Sequence, residues 1–165
     1  LYGGTGSASR RQTMPIDLPD RLEAGTHNMP GIAGLLEGLR FVARMGTENI
    51  ADHEIRLTRR AARGLAALPG VEVFADGKER AQTGVLSFRV RGMDSEQIGE
   101  ELARRQIAVR SGLHCAPLAH RTAGTLETGT VRLSPSIFNT PRHIDTFLRE
   151  LTAILRENES SGSRS

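Results

Sequence analysis

Apolar residues recur at helical spacing in four stretches of the chain and alternate in shorter ones, with glycine and proline marking the breaks. Residues 1–28 show little periodicity and read as a loop region. From about Met29 to Met45, Ile32, Leu35, Leu36, Leu39, Val42 and Ala43 fall on one helical face, behind Asn28 as a suitable N-cap. Gly31, Gly34 and Gly38 weaken that helix by roughly 1 kcal/mol each relative to alanine, a pattern expected where another backbone packs closely. A second helix is predicted from Thr47 to about Leu68, stopped by Pro69-Gly70, with Ile50, Leu57, Ala61, Leu65 and Leu68 in a stripe opposite arginines. "VEVF" (71–74) and "VLSFRVRG" (85–92) read as strands, the second turning Leu86, Phe88 and Val90 to one side. Asp94, with Gln97 three residues on, starts a capped helix that carries Ile98 and Leu102 inward and ends near Gln106. "IAVR" (107–110) and "GTVRLSPS" (129–136) read as two further short strands. The last helix is capped by Thr140, takes Pro141 in its first turn and repeats Ile144, Phe147, Leu148, Leu151, Ile154 and Leu155. Residues 158–165 read as a disordered tail. From about residue 48, helix, two strands, helix, two strands and helix predict an α/β layer, a short sheet with helices packed on one face.

Composition narrows the class. A length of 165 residues suits one domain, or one domain plus part of another. The net charge of +3 does not point to nucleic acid. All but one of the 22 basic residues are arginine, they are spread among 19 acids, and aromatics make up only 4% of the chain. No apolar run approaches the ~20 residues of a membrane span, and the first residues carry no secretory pattern. The single cysteine has no internal disulfide partner, so a reducing, cytoplasmic setting with no membrane partner is expected. The chain opens at "LYGGTGS", without methionine and in mid-pattern, which reads as a piece of something longer.

The candidate chemistry gathers around that cysteine, in "RSGLHCAPLAH" (110–120). Pro117 as a first helical residue makes Ala116 the cap and puts Cys115 beside a helix N-terminus, a setting that favours an anion and hence the nucleophilic thiolate. Arg110 and His114 add positive charge. The alternative is a small buried hydrophobe, against which stands the polar, Gly/Pro-punctuated loop. A metal site of Cys115, His114 and His120 matches no common zinc spacing, and no metal is expected. His27, His53 and His143 have no neighbouring pattern. "GGTGS" (3–7) lacks the Lys-Ser/Thr ending of a P-loop. In "EAGTHNMPG" (23–31), Gly25, Thr26 and Asn28 stand just ahead of a helix N-terminus, which reads either as an anion site or as a well-capped helix start.

Four stretches in order, "GGTGS", "LPDRLEAGTHNMPGIAGL", "RSGLHCAPLAH" and "GTLETGTVRLSPSIFNT", resemble the C-terminal part of the cysteine desulfurases, within the class V aminotransferase-like, pyridoxal-phosphate-dependent enzymes. The resemblance covers essentially residues 1–157. It implies the small C-terminal domain of a fold-type I enzyme at 48–157, preceded at 1–47 by the end of the large cofactor-binding domain and an interdomain helix. It also implies an activity: sulfur is removed from L-cysteine, giving L-alanine and a persulfide on the enzyme, which then passes to a sulfur-acceptor protein or small thiol. Carried over residue by residue, Cys115 is similar to the persulfide-forming nucleophile, and His114 before it to a residue that assists proton movement. Arg132, in "TVRLSPS", resembles the arginine that pairs with the substrate carboxylate, and Arg110 the one that opens the cysteine loop. Thr26, with Gly25 and Gly4, resembles the group around the cofactor phosphate, Thr26 reaching across a homodimer interface. The chain departs from the family in its lysine. The only one, Lys78, lies in the polar turn "ADGKERAQ" and matches no cofactor-lysine motif, so the chain is expected to be inactive alone. Selenocysteine lyase, another carbon–sulfur lyase or a cofactor-free sulfur carrier built on Cys115 are the alternatives.

Overall fold

The computed structural model describes residue 10, residues 12–75 and residues 83–162. The chain divides into two compact units, Leu1–Gly46 and Thr47–Ser165.

In the first unit, a short 3-10 turn at Asp20–Leu22 precedes helix α1 (Met29–Met45). Asn28 caps α1 as the pattern predicts, its side chain accepting from the Gly31 N–H at 3.0 Å. The apolar stripe of α1 is exposed, including Ile32, Leu35, Leu36 and Leu39, and the helix buries no residue. A Cβ at Gly34 or Gly38 would meet nothing within 4 Å, so among the described residues no backbone makes the close approach that the glycines suggest.

The second unit contains α2 (Thr47–Ala66), β1 (Val71–Phe74), β2 (Leu86–Val90), α3 (Ser95–Arg104), β3 (Arg110–Gly112), α4 (Pro117–Thr122), β4 (Thr130–Leu133) and α5 (Pro141–Gly162). The four strands form one sheet in the order β1-β2-β4-β3, every pair antiparallel. Alternation fixes its two faces. Leu86, Phe88 and Val90 of β2 are buried, and the register sets Phe88 opposite Val131 and Leu86 opposite Leu133. Onto that face pack Leu57, Ala61 and Leu65 of α2, Ile98 and Leu102 of α3, and Ile144, Phe147, Leu151, Ile154 and Leu155 of α5. Phe88 and Phe147 meet edge to face at 5.8 Å between ring centroids. Each such aliphatic or aromatic side chain contributes about 1.5–3 kcal/mol by leaving water. The α/β layer with helices against one sheet face is the architecture the periodicity predicts.

Two elements differ from the sequence reading. The strand expected at 107–110 begins only at Arg110 and runs to Gly112. Before it, α3 closes in a Schellman turn: Gln106 takes a positive φ of 61°, Gln106 N–H donates to Ala103 O, and Ile107 N–H donates to Leu102 O at 2.9 Å. The apolar Ile107 thus belongs to the helix stop and packs against the core. The tail expected from 158 begins as helix, because α5 continues to Gly162. Arg105 holds Glu157 at 2.6 Å, and Ser160 Oγ donates back to Arg156 O, extending the last turns. Among the described residues no helix is long and apolar enough to cross a membrane.

Candidate active site

The sheet face turned away from the helices carries polar residues at the alternate positions. One row runs Phe74, Ser87, Arg132, Arg110 across the four strands by register. Arg110 therefore stands directly opposite Arg132. Like charges facing each other across a strand pair repel, so the arrangement is favourable chiefly when an anion lies between or above them. Arg132 Nε is buried and has no hydrogen-bond partner among the described residues. A buried, unpaired guanidinium N–H costs about 1–3 kcal/mol or more until a partner arrives, and an anion such as a carboxylate has the chemistry to supply one.

β3 ends at Gly112, whose φ is +95°, and the chain turns at once. His114 and Cys115 both have positive φ, 52° and 58°, and Ala116 N–H closes the turn onto Leu113 O at 2.9 Å. Positive φ at both central positions is the geometry glycine and asparagine normally supply. The turn leaves Cys115 exposed, with Arg110 Nη2 3.6 Å from its Sγ. The predicted neighbour is thus in place through a side chain. The helix behind the cysteine is only six residues long, with Pro117 in its first turn and Ala116 as cap.

His114 Nε2 lies 3.1 Å from Thr130 Oγ1, while its Nδ1 is buried without a partner. Burial, together with the positive charges of Arg132, His120 and Arg110, holds its proton affinity below that of an ordinary histidine, opposed by a hydrogen bond to Thr130. The His120 ring sits 5.7 Å from that of His114 and is itself buried, its Nδ1 2.8 Å from Thr125 Oγ1. Thr125, Thr130 and the role of His120 were not legible in the sequence. The pairing of β4 with β3 brings Thr130 to the loop, and the turn that ends α4 sets Thr125 against His120.

The second unit thus brings together Arg110, His114, Cys115 and Arg132. Gly25 and Thr26 belong to the first unit, in the exposed turn ahead of α1, where Gly25 has a φ of +77°. The capped helix start expected there is present. Met29 N–H donates to His27 O, Pro30 has no N–H, and Gly31 and Ile32 N–H both go to Asn28. The Thr26 side chain is exposed in that turn. Gly4 and Lys78 lie outside the described residues. Among the described residues there is no cluster of three or more histidine, cysteine or acidic side chains able to hold a metal ion.

The profile of the aminotransferase class-V family matches residues 1–147. A probable cysteine desulfurase of Mycolicibacterium paratuberculosis is 42% identical over 144 residues, covering 87% of this chain and 20% of that protein. The apo structure of the cysteine desulfurase from Thermococcus onnurineus superposes with a TM-score of 0.79 at 31% identity, over 95% of this chain and 39% of that one. A variant of C-DES with glycine covalently linked to its pyridoxal phosphate cofactor gives a TM-score of 0.68 at 25% identity, over 92% and 37% of the two chains. The chain spans about a fifth to a third of the length of the curated relatives it matches.

Proposed function

The chain belongs to the aminotransferase class-V family, and from that membership we propose that it is the C-terminal part of a pyridoxal-phosphate-dependent cysteine desulfurase. Residues 1–47 are then the end of the large domain and 48–157 the small domain. The observation that carries the reading is the joint placement of an exposed cysteine 3.6 Å from Arg110 and a buried, unpartnered Arg132 Nε on the strand beside it.

In this reading Arg132 binds the carboxylate of L-cysteine, its planar fork meeting both oxygens. Arg110 orients the loop and supports the thiolate of Cys115 by charge. The cofactor, when bound, supplies an electron sink for cleavage of the substrate's carbon–sulfur bond. Cys115 Sγ attacks the substrate sulfur. A sulfur–sulfur bond forms, the carbon–sulfur bond breaks, and the carbon keeps the electron pair and takes up a proton. L-alanine leaves and a persulfide remains on Cys115, from which a sulfur-acceptor protein or small thiol takes the outer sulfur. His114, next to Cys115 in the turn and with its proton affinity lowered, accepts and returns protons beside the reacting sulfur. Thr26 serves the cofactor phosphate in the partner's site, so the full-length protein works as a homodimer, in the cytoplasm.

The experiment uses the full-length protein that contains this segment. With L-cysteine added, Cys115→Ser removes persulfide labelling while the cofactor absorbance persists, because a hydroxyl is a poor nucleophile toward sulfur. Labelled sulfur on the serine variant, with alanine still released, would show the thiol to be structural.

A further inference from the structure

The loop that presents Cys115 rests on a second histidine with no role in the reading above. His120 is 6% exposed, lies in α4, and sits with its ring 5.7 Å from His114 at a 50° tilt. Its place is fixed from two sides. Thr125 N–H donates to His120 O at 2.8 Å, which ends α4, and His120 Nδ1 meets Thr125 Oγ1 at 2.8 Å. Thr125 is itself 1% exposed, so neither partner has water to turn to. With Thr125 Oγ–H directed to His120 O at 3.4 Å, the hydroxyl oxygen accepts from Nδ1–H, which selects the Nδ1–H tautomer of His120.

His114 is held in a complementary way. Its Nε2 end is engaged by Thr130 on β4, so the open valence falls on Nδ1. The groups facing it are Arg110 on β3, Arg132 on β4 and His120 on α4, all basic. Burial and these charges favour the neutral ring, which is the form a proton acceptor needs.

We propose that His120 is a positioning residue for the sulfur-transfer reaction: clasped by Thr125, its buried ring backs His114 and sets the angle of that ring, whose Nδ1 is buried and unpartnered among the described residues, next to Cys115 in the chain. The proposal rests on the desulfurase reading. It assigns His120 no contact with substrate or cofactor, and its effect passes through His114.

The test is a double-mutant cycle on persulfide formation in the full-length holoenzyme, with His114→Ala, His120→Ala and the pair. His120→Ala is expected to slow persulfide formation about tenfold in the parent, and by less than about twofold when His114 is already alanine. It also shifts the acidic limb of the rate profile to higher pH, since some of the burial that disfavours the charged form of His114 is lost. His120→Asn, which retains a donor near Thr125 but no ring, gives the same pH shift and stands in for His120→Ala if that variant does not fold. A slowing of equal factor in both backgrounds, an unmoved acidic limb, or no effect of His114→Ala itself would each overturn the proposal. Failure of the desulfurase reading is separate, because it appears as persistent labelling in Cys115→Ser whatever the histidine variants do.

Discussion

Arginine at position 132 does two things that a lysine there would not do equally: it presents a rigid fork, and it tolerates half-burial while remaining charged. Arg132→Ala in the full-length protein should raise KM for L-cysteine by about 10- to 150-fold, the loss of a charge-assisted pair worth roughly 1.5–3 kcal/mol, and steady-state kinetics will measure it. Arg132→Lys should recover only part of that loss. A KM unchanged in Arg132→Ala would remove the carboxylate assignment. His114 gives a second residue-level expectation, read through stability. Its folded-state proton affinity is lowered from the ordinary 6.5, so on acidification the unfolded chain takes up a proton before the folded one does. The contribution is fully present above about pH 6.5, declines as the pH falls toward the lowered value of the folded state, and is absent below it. Melting temperature should therefore drop over that window, and less steeply in His114→Asn. Arg110, His114 and Cys115 are legible because each is a distinctive type in a glycine- and proline-marked loop, whereas Arg132 is singled out only by the family resemblance. Thr125 and Thr130 are ordinary threonines: Thr130 matters through a strand pairing and Thr125 through the turn that ends α4, and neither carries a distinctive local pattern.

Among the elements, glycines separate conformational need from crowding. Gly129 has a φ of +61°, and a Cβ there would press on the Gly112 backbone at 3.0 Å, just before the cysteine turn. Gly70 has a φ of +74° but open space around it. Gly70→Ala should cost about 1–2 kcal/mol from the backbone alone, and Gly129→Ala clearly more, with loss of Cys115 reactivity as well. Denaturant midpoints and thiol labelling rates distinguish the two. Asp94→Ala, which removes the acceptor that holds Glu96 N–H at 2.7 Å, should cost about 0.5–2 kcal/mol by the same denaturant measurement. The long helices were readable because their apolar stripes are continuous, and β2 because its alternation is strict. The strand at 107–110 was misplaced because Ile107 and Val109 alternate like a strand while the chain there is still finishing a helix stop. The extra turns of α5 depend on Arg105, some fifty residues away, and tail composition carries no sign of it.

At the scale of the molecule, the exposed stripe of α1 carries the assembly prediction. Leu35→Glu with Leu39→Glu should weaken the proposed homodimer of the full-length protein while leaving the melting of the second unit unchanged; sedimentation at high dilution measures it. A fully active monomer in the unmutated protein would remove the dimer proposal. Stability of the whole is also tied to the one turn that exposes the thiol. Two consecutive non-glycine residues in the left-handed region each oppose folding by about 1–2 kcal/mol, and glycine at either would lift most of that at the cost of about 0.5–1 kcal/mol of chain entropy. Cys115→Gly should accordingly melt higher than the unmutated protein while forming no persulfide. Selection for thermal robustness alone would therefore drive this protein toward an inert form, and a stabilisation screen run without an activity assay would reward the loss of its reactive group.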